Sequence, residues 1–142
     1  MIIQFICTGN IYRSRLAEAY CASKRIQGVR VLSSGIEAGK NGDASISPYA
    51  ADVLTKYGII SYAAKRWQRT TAALVGASDV LVFMESEHRR FCENWIEPSK
   101  HRVEVWGIED IGAIDAAMIA DTVDHTFMMV RQQTDALLRA IC

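Results

Sequence analysis

Short apolar runs alternate with stretches of helical spacing along most of the chain. Residues 2–6 (Ile-Ile-Gln-Phe-Ile) form a brief β-branched and aromatic run, the pattern of a strand buried on both faces. Residues 14–27 read as a helix, with Leu16, Ala19, Tyr20 and Ser23 on one face. Ser14 is placed to cap that helix, and Gly28 follows its C-terminal end. Residues 29–33 repeat the strand pattern and close on Ser34-Gly35. Gly39, Asn41-Gly42 and Asp43 mark residues 37–45 as a loop. Ser47-Pro48 is a strong helix start, and that helix runs to Tyr57 before Gly58. A weaker helix covers 70–75. Residues 79–84 (Asp-Val-Leu-Val-Phe-Met) are the clearest central strand, and 85–95 are helical with Pro98 beyond them. Residues 103–106 make a fourth strand, 107–121 are mostly loop, and 122–141 are a long closing helix.

Strand and helix in alternation imply an α/β fold of three layers, a parallel sheet with helices on both faces, in one domain over 1–142. Such folds bind ligands at the carboxyl ends of their strands, near the point where the strand order reverses. Cys7 stands at the carboxyl end of the first strand.

Composition narrows the function without naming it. A chain of 142 residues, half of them hydrophobic, can bury a real core as one domain. Lys plus Arg is 16 and Asp plus Glu is 16, for a formal net charge of zero. Partners that need a basic excess, nucleic acid and anionic membrane, are disfavoured, so any anion site must be local. No apolar run approaches the ~20 residues that span a bilayer, and the start lacks the basic n-region of a signal peptide. The expected compartment is therefore the reducing cytoplasm. Cys7, Cys21, Cys92 and Cys142 have neither CxxC nor zinc-type spacing and are expected as thiols. His88, His101 and His125 make no metal pattern, and His88-Arg89-Arg90 reads as the solvated face of a helix. The run 65–69 reads as a solvated turn, and Asp79 as a structural residue at the far end of its strand.

The turn after the first strand carries the chemistry. In Cys7-Thr8-Gly9-Asn10-Ile11-Tyr12-Arg13-Ser14, five residues separate the thiol from the arginine, enough to wrap backbone N–H groups around a tetrahedral anion. Gly9 is expected to supply φ > 0 and close approach, and Asn10 tolerates the left-handed region. The following helix points its N-terminus at the same spot, and Arg13 offers a two-pronged fork for oxygens. These features favour a thiolate at Cys7, with Ser14 placed to donate to the sulfur. Attack on phosphorus, a cysteinyl-phosphate and its hydrolysis follow, and no metal or cofactor is required.

The loop resembles that of the low-molecular-weight protein tyrosine phosphatase family. The likeness continues through Arg15-Leu16-Ala17-Glu18, Ser33-Ser34-Gly35, Ser47-Pro48-Tyr49-Ala50, Ala77-Ser78-Asp79 and Val105-Trp106-Gly107. The resemblance implies a four-stranded parallel sheet of flavodoxin-like order 2-1-3-4. It also implies hydrolysis of phosphotyrosine in protein substrates, with Cys7 and Arg13 catalytic and residues 8–14 binding phosphate. The family commonly has a second cysteine where this chain has Tyr12, so a disulfide route protecting Cys7 is absent unless another thiol comes near.

The family's proton donor is an aspartate in an Asp-Pro pair after the fourth strand, and this chain has no Asp-Pro. Asp110, followed by Ile111, matches in position; Asp115 in the same loop is the alternative acid. Without proline the loop is expected to be more mobile. Gly112 and Ala113 stand where the family often has aromatic residues, leaving Tyr12, Tyr49 or the 37–41 segment to wall the substrate ring. Two other functions compete. A thiol-dependent arsenate reductase shares the loop but needs two relay cysteines late in the chain, where only Cys92 lies. A phosphate-loop binding module would follow if neither aspartate faced the loop. Nothing in the sequence sets the oligomeric state.

Overall fold

A computed structural model describes residues 1–40, 45–112 and 116–142. The expected loop residues Asn41, Gly42 and Asp43, together with Ala113 and the alternative acid Asp115, lie outside the described residues. The element order is β1 (Ile2–Cys7), α1 (Arg13–Ser23), β2 (Arg30–Gly35), α2 (Pro48–Lys56), α3 (Ala72–Ala77), β3 (Val80–Phe83), α4 (Ser86–Phe91), β4 (Arg102–Val105) and α5 (Ile119–Ile141). Short 3-10 turns stand at Ile60–Tyr62, Glu93–Trp95 and Ala116–Met118. Among the described residues no helix is long and apolar enough to cross a membrane.

The four strands form one parallel sheet in the order β2-β1-β3-β4. β1 alternates its side chains between two cores. Ile3, Phe5 and Cys7 join Leu16 of α1 and Val123, Phe127 and Val130 of α5 on one face. Ile6 joins Leu81, Phe83, Val75 and Cys92 on the other. Because the chain leaves β1 towards β2 and returns across it to β3, the order reverses beside β1. The segments after β1 and β3 therefore meet at one end of the sheet, the place where such folds hold ligands.

Most boundaries fall within a few residues of the sequence pattern, and the exceptions have local causes. α1 ends at Ser23, short of Gln27, because Arg25 takes φ 52° and the Lys24 and Arg25 amides bond back to Cys21 and Ala22. Ser14 does not cap α1; Tyr12 precedes it and Ser14 lies in its first turn. β2 runs on to Gly35, in register with Cys7. The weak third helix sits two residues late, capped by Thr71, whose hydroxyl accepts from the Leu74 amide at 3.1 Å. The helix after β3 breaks at Cys92 and finishes as a 3-10 turn. Ser47 caps α2 with Pro48 behind it, and Gly58 (φ 71°) follows its end, as the pattern implies. Asp79 is structural: its Oδ2 accepts from the Ile2 amide at 2.7 Å, at the amino ends of the strands.

Candidate active site

The turn from Cys7 to Ser14 is fixed from outside by partners for its carbonyls. Ile36 and Glu37 amides donate to the Cys7 and Thr8 carbonyls at 3.0 and 2.8 Å. The Ser47 amide donates to Ile11 O at 2.7 Å, the Leu16 amide to Tyr12 O at 2.9 Å, and Arg15 Nη1 to Asn10 O at 3.2 Å. With the carbonyls drawn outwards, the amides of Thr8 to Tyr12 are left without an acceptor among the described residues. Unpaired amides in succession around one buried thiol make a nest for an anion.

The left-handed residue of the turn is Asn10 (φ 56°), and Gly9 does not take a positive φ as expected. Asn10 is fully buried and uses its whole amide. Oδ1 accepts from the Gln68 amide at 2.9 Å, and Nδ2 donates to Ser14 Oγ at 2.8 Å and Ser33 Oγ at 2.9 Å. Since Ser14 Oγ accepts from Asn10, its own proton is free to donate to Cys7 Sγ, 2.9 Å away. The close glycine is Gly35 on β2. A Cβ there would stand 2.5 Å from Thr8 O and 2.7 Å from Asn10 N. Only a hydrogen lets the turn lie against β2.

Arg13 is buried, and its guanidinium is oriented by four groups. Nη1 pairs with Glu85 Oε1 and donates to the Ile108 carbonyl at 2.9 Å; Nη2 donates to Thr8 Oγ1 at 3.2 Å and lies 3.6 Å from Asp110 Oδ2. Nε has no acceptor among the described residues. Thr8 Oγ1 also meets His88 Nε2 at 2.9 Å. The Glu85 amide donates to His88 Nδ1 at 3.0 Å, so the ring proton sits on Nε2 and is given to Thr8. Burial, reinforced by the Arg13 charge, pulls the His88 pKa down to about 4. Beneath the turn, Arg15 and Glu18 form a buried pair 3.5 Å apart, both bonded to the backbone of Ala64. Burial raises the Glu18 pKa.

Cys7 and Arg13 line a pocket of about 380 Å³ together with Ile11, Tyr49, Asp110 and Ile111. Glu37 and Lys40, paired at 3.0 Å, stand at its exposed margin. Cys7 is 2% exposed whereas Asp110 is 55% exposed. The pocket thus presents a buried thiol under unpaired amides and a guanidinium, with a solvated carboxyl opposite. That is an arrangement for a nucleophile, an oxyanion cradle and a proton donor.

Residues 2–135 match the family model described as low molecular weight phosphotyrosine protein phosphatase. The chain belongs to that family. Among its relatives is a probable low molecular weight protein-tyrosine-phosphatase, EpsP of Ralstonia nicotianae, 29% identical over 98% of this chain and 90% of that protein. A protein-arginine-phosphatase of Geobacillus stearothermophilus is 42% identical over 57 residues, 40% of this chain and 37% of that protein. The crystal structure of the tyrosine phosphatase Wzb from Escherichia coli K30 with sulphate superposes with a TM-score of 0.80, at 23% identity over 99% and 98% of the two chains.

Within this phosphatase family frame, the structure brings together the turn Cys7 to Ser14 and Asp110, two parts read separately from the sequence. Tyr12 turns its ring into the core, with Thr126 as a polar neighbour, and burial raises its pKa. Of the residues expected to wall the pocket, Tyr49 is 40% exposed on its lining. His88, read as part of a solvated helix face, is fully buried against the phosphatase loop, because only two residues separate β3 from α4, whose first turn sets the His88 ring on Thr8. Glu85 and Gln68 were not identified as site residues. The strand order would have found Glu85, since the residues just past β3, Met84 and Glu85, must stand beside the turn after β1. Gln68 acts through its backbone amide, which leaves no trace in residue type. Cys21, Cys92 and Cys142 are free; Cys92 belongs to the core on the other sheet face, and burial pushes the thiols of Cys21 and Cys92 up to about 12 and about 11.

Proposed function

We propose that the chain removes phosphoryl groups from tyrosine residues of proteins through a cysteinyl-phosphate. The observation that carries this is the set of unpaired amides from Thr8 to Tyr12 around Cys7 Sγ, with Arg13 held in place beside it. A phosphoryl group seated there has its oxygens on the amides and on Arg13, which supply the positive charge the reaction needs without a metal. The Cys7 thiolate attacks phosphorus, forming the S–P bond as the P–O bond to tyrosine breaks. Asp110 gives its proton to the departing phenolate oxygen. A water then attacks phosphorus, Asp110 takes the water's proton, and the S–P bond breaks to restore the thiolate. The Ser14 hydroxyl donates to the sulfur and eases its departure.

The pocket walls favour tyrosine. Ile11, Ile111 and Tyr49 offer apolar and aromatic surface to a flat ring. The kinship with a protein-arginine-phosphatase makes phosphoarginine the second substrate to compare. Arsenate reduction is not favoured, because Cys92 lies in the core across the sheet. A bare binding module is not favoured either, since Asp110 sits 3.6 Å from Arg13 at the pocket. A reducing cytoplasm is the compartment that keeps Cys7 a thiol.

The test is turnover of p-nitrophenyl phosphate and of matched phosphotyrosine and phosphoarginine peptides by the wild type and Cys7→Ser. Activity that survives chelators, prefers phosphotyrosine and falls by roughly four orders of magnitude in Cys7→Ser is expected. A Cys7→Ser protein that keeps wild-type turnover sinks the mechanism, and preference for phosphoarginine sinks the substrate.

A further inference from the structure

A second groove of about 490 Å³ runs between α2 and the first turns of α5, and Tyr49 lines both it and the catalytic pocket. Along α2 it follows Tyr49, Asp52 with Val53, and Lys56, one helical turn apart each. From α5 it takes Ile119, Ala120, Val123 and Asp124. The floor is apolar, Val53 and Val123, and the two carboxylates stand exposed on opposite walls. Among the described residues neither Asp52 nor Asp124 is in an ion pair. Lys56 lies at the far end, its ammonium over the Tyr57 ring at 5.8 Å.

We propose that this groove is the subsite for the substrate polypeptide flanking the phosphorylated tyrosine, selecting an apolar residue next to a basic one. The proposal rests on the protein phosphatase reading above. A protein substrate cannot insert a phosphotyrosine at Cys7 without laying its neighbouring residues on the surface around the pocket. The groove is next to that pocket, with the half-exposed Tyr49 lining both. From Tyr49 to Lys56 is two helical turns, about 10 Å, which accommodates about three extended residues. An apolar side chain fits the Val53 and Val123 floor, and an adjacent Lys or Arg meets Asp52 and Asp124. The catalytic pocket itself has Lys40 and Glu37 at its margin, already paired, whereas among the described residues Asp52 and Asp124 of the groove are in no ion pair and can meet a charged flank.

The test uses phosphotyrosine peptides carrying Leu-Lys or Gly-Glu on the N-terminal side, the C-terminal side or both, with p-nitrophenyl phosphate as the flankless reference. The readout is kcat/KM on each peptide divided by that on the reference. The wild type is expected to favour Leu-Lys flanks about tenfold on at least one side. The double charge reversal Asp52→Lys with Asp124→Lys should erase or invert that preference, chiefly through KM. Ala120→Trp, which fills the groove at an exposed position, should lower the ratio for all flanked peptides. No flank preference in the wild type, or the same preference in the reversed protein, overturns the proposal. Calorimetric binding of the same peptides to Cys7→Ser separates the two readings. Flank preference in binding without wild-type turnover would sink hydrolysis alone, and turnover without flank preference would sink the groove alone.

Discussion

The two sides of the catalytic pocket are built in opposite ways. The turn from Cys7 to Ser14 is largely buried, and its five outward carbonyls and its asparagine side chain are bonded to α1, to β2 and the two residues after it, to the cap of α2 and to the segment before α3. The segment carrying Asp110 touches the same pocket, but its carboxyl is solvated and its contacts are few. Asp110 accepts from the next amide, Ile111 N, at 2.9 Å, and stands 3.6 Å from Arg13. A cradle for a doubly charged group must be rigid before the ligand arrives, because its unpaired amides cannot be stabilised by anything else. A proton donor works on leaving groups that vary in position, and gains from staying in water and being able to move. The contrast therefore separates a preorganised half from an adjustable half, and each half makes its own prediction.

Damage to the rigid half should be the more severe. Gly35→Ala places a methyl against the backbone of Thr8 and Asn10, both of which are main-chain atoms that can yield only by moving the cradle. We expect turnover to fall about 100-fold, as for an ångström-scale misplacement of catalytic groups, and stability to fall by roughly 1–3 kcal/mol. Phosphate affinity by calorimetry should fall with it. Gly76→Ala, where an added Cβ meets nothing within 4 Å, is the matched comparison and should leave turnover alone. Equal activity in the two variants would mean the cradle is not held against β2.

Asp110→Asn probes the adjustable half, and its signature is dependence on the leaving group. With a phenyl phosphate, whose phenolate is strongly basic, the loss should reach about 100-fold. With p-nitrophenyl phosphate, whose leaving group scarcely needs a proton, it should be several-fold. Phosphate binding should be kept, since the cradle is intact. A loss of the same size on both substrates would remove Asp110 from the proton-donor role, and Asp115→Asn showing the graded pattern instead would assign it there.

The same contrast governs how much could be read from the sequence. β1, the turn and Ser47-Pro48 announce themselves because each depends on residue type: β-branched runs, a thiol and an arginine with five residues between them, a serine cap before proline. Asn10 was legible as a left-handed residue, although Gly9 was read as sharing the role and does not. What escaped was contact made at long range. Gly35 looked like the end of a strand, and only the approach of Thr8 shows why it has no side chain. Gln68 contributes an amide that any residue could supply. His88 stands between Glu87 and the two arginines of α4 and reads as solvated until the strand order places α4 over the turn after β1. The Arg15–Glu18 pair was seen as sequence likeness alone, and its burial gives it the task of holding Asn10 O.

His88 offers the smallest effect and the finest test of the rigid half. Its ring is neutral in the fold, with Nδ1 accepting from Glu85 and Nε2 donating to Thr8. Its pKa of about 4 lies below the ordinary 6.5, so an unfolded chain takes up the proton first as pH falls. Between these values the unfolded state binds more protons, and stability must decline on acidification. The His88 contribution is whole above pH 6.5 and is lost as pH falls towards 4, with a slope of at most about 1.4 kcal/mol per pH unit. Glu18 acts in the other sense: burial raises its pKa, so protonation in acid relieves its cost. The two can be told apart by His88→Gln, whose amide can both donate to Thr8 and accept from Glu85 but does not titrate. Melting temperatures followed from pH 7 to pH 4 should fall less steeply in His88→Gln than in the wild type, while turnover near pH 7 changes little more than a few-fold. Parallel melting curves would mean that His88 is protonated with ordinary ease, and that the cradle tolerates a second cation beside Arg13.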